Sequence, residues 1–239
     1  MAARRAAEEL IELDERGSTA CIVNRDIPDG LDREYCDLAY MVAHFARKLA
    51  GESTPIKSIE TSFYGQLKAF SNWLVVPVIS GVCENFDRLN THSAAEKFLK
   101  ESGIGYTNRE PDDGKHYKNS ITVDLLVEQK DNTFRRISVR GTVTESHLMI
   151  ARIDEFDGLY FEPKGPIFSC IYADRPGMIA AISRRIADKG INIEDIRNPH
   201  DQNTGRSLVI LKLSKSVDPD TLSLIARDVE ATSALSITL

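Results

Sequence analysis

The sequence predicts an α+β fold in two units, and three observations carry that prediction. Residues 167–192 read as a strand, a sharp bend at Asp174-Arg175-Pro176-Gly177, a helix and the start of another strand. The alternation continues to the C-terminus as strand, helix, strand. Upstream, helical periodicity between residues 31 and 102 gives way to short alternating strands between 105 and 153.

Taken in order, residues 2–16 are rich in helix formers and have no N-cap after Met1, so they read as a helix entered midway. Ile27-Pro28-Asp29-Gly30 is a turn by residue type. Leu38, Met41, Val42, Phe45 and Leu49 recur at helical spacing, and the segment Gly51-Glu52-Ser53-Thr54-Pro55 closes that helix. Residues 56–65 alternate as a strand. The apolar stretch 67–86 is too polar at its ends to span a bilayer and reads as a buried helix kinked at Pro77. A short helix over 93–102 ends at Gly103. Strands follow at 105–109, 120–128, 134–139 and, in two pieces, 141–153, with Gln129 to Thr133 as a hairpin loop. Residues 52–164 therefore form an α/β unit around an antiparallel sheet.

In residues 165–239, Ile167 to Tyr172 suit a strand buried on at least one face. Met178, Ile179, Ile182, Ile186 and Ala187 mark the apolar side of the helix that follows, and Gly190 stops it. Ile191-Asn192-Ile193 begins the next strand, and Ser207 to Leu213 alternate as a third. Asp218 as N-cap and Pro219 at the first helical position start a second helix with Leu222, Ile225, Ala226 and Val229 on its apolar stripe. Ser233 to Leu239 supply the last strand. The order βαββαβ is the ferredoxin-like arrangement, two helices on one face of an antiparallel sheet.

The run YADRPGMIAAISRRIADKGINI resembles the first half of an ACT domain, the small amino-acid-sensing module, whose pattern is a strand, Asp-x-Pro-Gly, a helix and Gly-Ile-Asn-Ile. Upstream, RGTVTES and IARIDEFDGLYFEPKG are similar to the segments that precede this domain in D-3-phosphoglycerate dehydrogenase. The resemblance runs from about Leu31 onward and implies the regulatory half of that enzyme's long form. It divides the chain into a helical tail of an upstream catalytic domain plus linker (1–51), an intervening domain like the allosteric-substrate-binding domain (52–164) and an ACT domain (165–239). The segment CIVNRDIP is similar to the end of the enzyme's last catalytic-domain helix, which implies a fragment whose catalytic group lies upstream.

Chemistry of the dehydrogenase itself is not written here. No GxGxxG follows a strand, and no GxSxG, HExxH or P-loop occurs; the five histidines sit without a carboxylate or second histidine at ligand spacing. No catalytic residue and no metal ligand is therefore expected, and NAD, implied by the resemblance, belongs to the upstream domain. Cys21, Cys36, Cys83 and Cys170 have no CxxC spacing and read as buried free thiols. A net charge of −6 argues against nucleic-acid and anionic-membrane surfaces. No apolar run reaches the roughly 20 residues of a membrane span, and a reducing cytoplasm is the expected compartment.

The candidate site is the bend. A free amino acid needs an acceptor for its ammonium and donors for its carboxylate. Asp174 can accept, and the backbone N–H groups of Gly177, Met178 and Ile179 at the helix N-terminus can donate. Pro176 fixes the turn and Gly177 admits a ligand close to the backbone, with Arg175 between Asp174 and Pro176. The resemblance places Tyr172, Asp174 and Asn192 on the positions that contact L-serine where two ACT domains pair edge to edge, so L-serine or a similar amino acid and a second copy of the chain are the implied partners. Arg152 and Lys164 are candidates for an anion site, where the sequence reads Phe156-Asp157-Gly158-Leu159-Tyr160 instead of the basic pair of family members. Two other readings are a stand-alone ACT protein that only oligomerises and a subunit like the β chain of iron–sulfur L-serine dehydratase. The second expects a serine-rich N-terminal motif that AARRAAEELIELDER lacks.

Overall fold

A computed structural model of the chain describes residues 30–110 and 117–239, together with Ile11 and Pro28. The predicted helix at 2–16 otherwise lies outside the described residues. The described part is an α+β fold with two sheets and five helices, in agreement with the sequence.

The first sheet has the order β2-β1-β3-β4-β5-β6. Its strands are β1 (Ile56–Tyr64), β2 (Gly105–Asn108), β3 (Ser120–Glu128), β4 (Phe134–Thr144), β5 (His147–Ile153) and β6 (Phe156–Phe161). Every neighbouring pair is antiparallel except β1 with β2, which run parallel because α3 (His92–Ser102) and the preceding elements carry the chain back between them. Strand β6 is an element the periodicity does not announce: Asp157 and Gly158 interrupt its apolar residues.

One face of this sheet is dry. Ile121, Val123, Leu125 and Val127 on β3 and Ile137 and Val139 on β4 alternate inward and are fully or almost fully buried. Against them pack α1 (Arg33–Ala50), through Leu38, Val42, Phe45 and Leu49, and α2 (Ser71–Val82). Each such aliphatic side chain removed from water is worth about 1.5–3 kcal/mol. α1, grouped with the N-terminal segment on the sequence reading, thus lies at the centre of the first core. The two helices approach closely at Gly81, where a Cβ would collide with the Tyr40 carbonyl oxygen and lie 2.9 Å from Ala43 Cβ. The stretch expected as one helix over 67–86 divides into a 3-10 turn at Gly65–Phe70 and α2, with Pro77 inside the latter.

The second sheet has the order β11-β7-β10-β8, formed by β7 (Pro166–Ala173), β8 (Ile193–Arg197), β10 (Arg206–Leu213) and β11 (Ser233–Thr238), all antiparallel; the short β9 (His200–Asp201) pairs beside β10. With α4 (Met178–Asp188) and α5 (Pro219–Asp228) this is the ferredoxin-like βαββαβ arrangement. Asp218 caps α5 as expected, its Oδ1 accepting from the Thr221 N–H at 2.9 Å. Phe168, Cys170 and Tyr172 on β7 turn toward α4 and α5 and meet Ile182, Ile186, Ile225 and Val229. Ala187 is exposed, and Ala181 packs in its stead. The opposite face of the sheet offers Ile167, Leu208, Ile210 and Ile237, which join the core of the first sheet. The second sheet is therefore covered on both sides.

Candidate functional site

The bend sits where β7 hands over to α4. The Asp174 N–H donates to the Gly205 carbonyl at 2.9 Å, which ties the loop to the start of β10. Gly177 adopts φ 92° and ψ −10° as the N-cap of α4, a conformation that favours glycine, and no side chain caps the helix. The N–H groups of its first turn accordingly point out of the helix end without an intrahelical acceptor. Had Asp174 capped its own helix, this would be an ordinary structural aspartate; it does not. Its carboxylate is half-exposed and faces His200, whose Nδ1 lies 3.3 Å from Asp174 Oδ2.

The structure places the remaining predicted residues as follows. Arg175 and Pro176 are exposed, and Arg175 Nη2 reaches Glu230 at 3.3 Å. Met178 and Ile179 are half-buried against the core of the second sheet. Tyr172 is 1% exposed, and its ring is part of that core. Its hydroxyl donates to Asn198 Oδ1 at 2.7 Å, and burial pushes its pKa up to about 12, aided by the nearby Cys170 and Asp174. In one copy of the chain, then, only the tip of Tyr172 is near the bend. Asn192 is exposed just before the edge strand β8; its backbone is pinned at both ends by Ser214, through N–H to Oγ and carbonyl to N–H contacts of 3.0 Å each. That pinning fixes the backbone of an exposed residue beside a sheet edge.

Arg152 and Lys164 are not brought together. Arg152 donates to the Asp154 carbonyl at 2.6 Å and to Ser138 Oγ at 2.8 Å, on the face of the first sheet away from α1. Lys164 pairs with Glu162, which also takes His147. Those two partners hold the Glu162 carboxyl below its usual range, with Lys164 the larger influence.

Two residues near the bend escape the sequence reading. His200 and Asn198 lie between the strands expected at Ile191-Asn192-Ile193 and Ser207 to Leu213, and both are drawn to β7 by the pairing of β10 with β7 and β9. His200 Nδ1 also lies 2.6 Å from Ser207 Oγ. The histidines are therefore not all without carboxylates: His147 meets Glu162, and His92 meets Glu96 at 3.8 Å, the latter an i,i+4 spacing visible in the sequence. Among the described residues no group of three His, Cys, Asp or Glu forms a metal site, and no helix is long and apolar enough to cross a membrane. Cys83 and Cys170 are buried free thiols as expected, and burial raises both, Cys170 to about 12. Cys36 is only half-buried.

The bend, the uncapped helix and the exposed edge together define a ferredoxin-like α+β module with an open polar loop. No protein-family model matches the chain, and no curated protein matches it. Among solved structures, a formyltetrahydrofolate deformylase from Pseudomonas syringae pv. tomato str. DC3000 is similar over 33% of this chain and 29% of its own length, at 18% identity and a TM-score of 0.27.

Proposed function

We propose that the chain is the regulatory region of a D-3-phosphoglycerate dehydrogenase, in which residues 165–239 act as an ACT domain that binds L-serine, or an amino acid of similar size, between two copies. The observation that carries this reading is the bend itself: an exposed carboxylate at Asp174 stands beside a helix end whose N–H groups have no side-chain cap. An ammonium matches the first and a carboxylate the second. In this reading the exposed Asn192, just before the edge strand β8, completes the pocket from a second copy. In this reading residues 52–164 transmit the signal, and the dehydrogenase's NAD and catalytic group belong to a domain outside this chain.

The test is a thermal-shift panel of the proteinogenic amino acids, with the association state followed by sedimentation. L-serine or one close analogue should raise the melting temperature and favour the dimer. A dimer whose stability is indifferent to every amino acid would instead favour the oligomerisation reading.

A further inference from the structure

Strand β6 is irregular where it nears the second sheet. Against β5, Phe161 pairs with Ile150 and Asp157 with Arg152, so Gly158, Leu159 and Tyr160 stand opposite the single residue Ala151. A bulge of this kind re-aims a side chain. Leu159 is buried in the first core, whereas Tyr160 is 48% exposed and holds φ 42°, a left-handed backbone that an aromatic residue rarely adopts. Backbone in such sparsely populated conformations clusters where ligands are clamped.

Tyr160 lines a groove of about 320 Å³ between the two sheets, at the small end of the range for small-molecule sites. Part of its wall is apolar and fixed: Phe161, Ile167 and Ile210 are each at most 4% exposed. Met149 lines it as well, half-buried. A thioether and an open ring together favour an aromatic body over an aliphatic one.

The rest of the groove is charged. Half-buried Lys212 follows Ile210 on one face of β10, with Asp195 of β8 opposite it and Arg197 opposite Ile210. Most of these charges are satisfied internally: Arg197 reaches Asp195 at 2.8 Å, and His147 reaches Glu162 at 2.9 Å. Two are not. Among the described residues, the side chains of Lys212 and Glu194 have neither an ion pair nor a hydrogen bond, and both line the groove. One spare ammonium and one spare carboxylate beside an apolar wall match a ligand that carries both charges on an apolar body. A polyanion would instead meet the carboxylates of Glu162, Glu194 and Asp195.

We propose that this groove binds an aromatic zwitterion of amino-acid type within a single copy of the chain, its carboxylate on Lys212, its ammonium on Glu194 and its ring against Tyr160 and Met149. The groove is separate from the bend: Lys212 pairs with Ile167 at the start of β7, roughly 20 Å along that strand from Asp174. Calorimetry on the full chain tests it, with L-phenylalanine as the probe. The controls are 3-phenylpropanoate, which lacks the ammonium, and phenethylamine, which lacks the carboxylate. L-phenylalanine should bind saturably, and each control about tenfold or more weakly. Lys212→Met should weaken binding about tenfold and Glu194→Gln severalfold, whereas Asp174→Asn should leave it unchanged. Tyr160→Gly should weaken binding severalfold while the melting temperature holds or rises, because glycine accepts the positive φ. If Lys212→Met fails to fold, hydrogen exchange on the wild-type chain decides the matter: L-phenylalanine should protect amides at 160–162 and 193–197 and leave those at 177–181 unchanged. Absence of saturable binding at millimolar L-phenylalanine, equal affinity for all three probes, protection at 177–181 alone, or binding that Asp174→Asn abolishes and Lys212→Met spares overturns the proposal.

Discussion

His200 Nδ1 stands 3.3 Å from the carboxylate of Asp174, 26 positions earlier in the chain, and the same nitrogen lies 2.6 Å from Ser207 Oγ. The acceptor assigned to a ligand ammonium thus has an internal neighbour that can compete for it. Both side chains are about half-exposed, so the pair is worth little, about 0.2–1 kcal/mol. An arriving ammonium has to displace it.

Removing that competitor should help the ligand. His200→Ala is expected to tighten amino-acid binding by about two- to fivefold, measured by calorimetry with the wild-type chain alongside. Weaker binding in the variant would place the imidazole on the ligand instead.

Asp174→Asn should separate binding from folding. The carboxylate caps no helix, and the loop is held by the backbone contact from Asp174 N–H to Gly205. Stability should therefore change by less than about 0.5 kcal/mol, while a lost charged hydrogen bond weakens binding by about ten- to a hundredfold. Denaturant melts of the two chains check the first half.

Two glycines should respond differently to alanine. At Gly177 nothing lies within 4 Å of an added Cβ, so only the positive φ is penalised, at about 1–2 kcal/mol. At Gly81 the Cβ would drive into the backbone of α1, and overpacking there should cost more, about 3 kcal/mol or above. Equal losses in chemical denaturation would contradict the close approach of α1 and α2.

Asp154 gives a pH dependence of defined sign. Burial raises its carboxyl above the usual Asp value although it accepts the Ser138 N–H at 2.8 Å. The folded chain then holds this proton more tightly than the unfolded chain. The contribution is present at acid pH and is lost as pH rises from the ordinary Asp range through the raised value. Asp154→Asn can keep the hydrogen bond and suits the positive φ of 48° at this position. Its stability should fall less between acid and neutral pH than that of the wild-type chain, as read from melts across that range.

How legible these features are follows the distance over which they are determined. The β7, bend and α4 unit is local: a strand, Pro176, a Gly177 that tolerates φ 92° and a 3.6-residue apolar period all lie within one short stretch. Strand β3 is equally plain because every second residue is apolar. Tyr172 reads as a ligand contact by resemblance, but the alternation that turns Phe168 and Cys170 inward also buries its ring. The contact of His200 with Asp174 depends on the pairing of β7 with β10, which no local pattern specifies.

The central claim is tested most directly by titrating L-serine into the wild-type chain and into Asp174→Asn by calorimetry. Saturable heat from the wild-type chain, at no more than one ligand per copy, with little or none from the variant, is the expected result. No heat at millimolar L-serine from either, or the same isotherm from both, would contradict it.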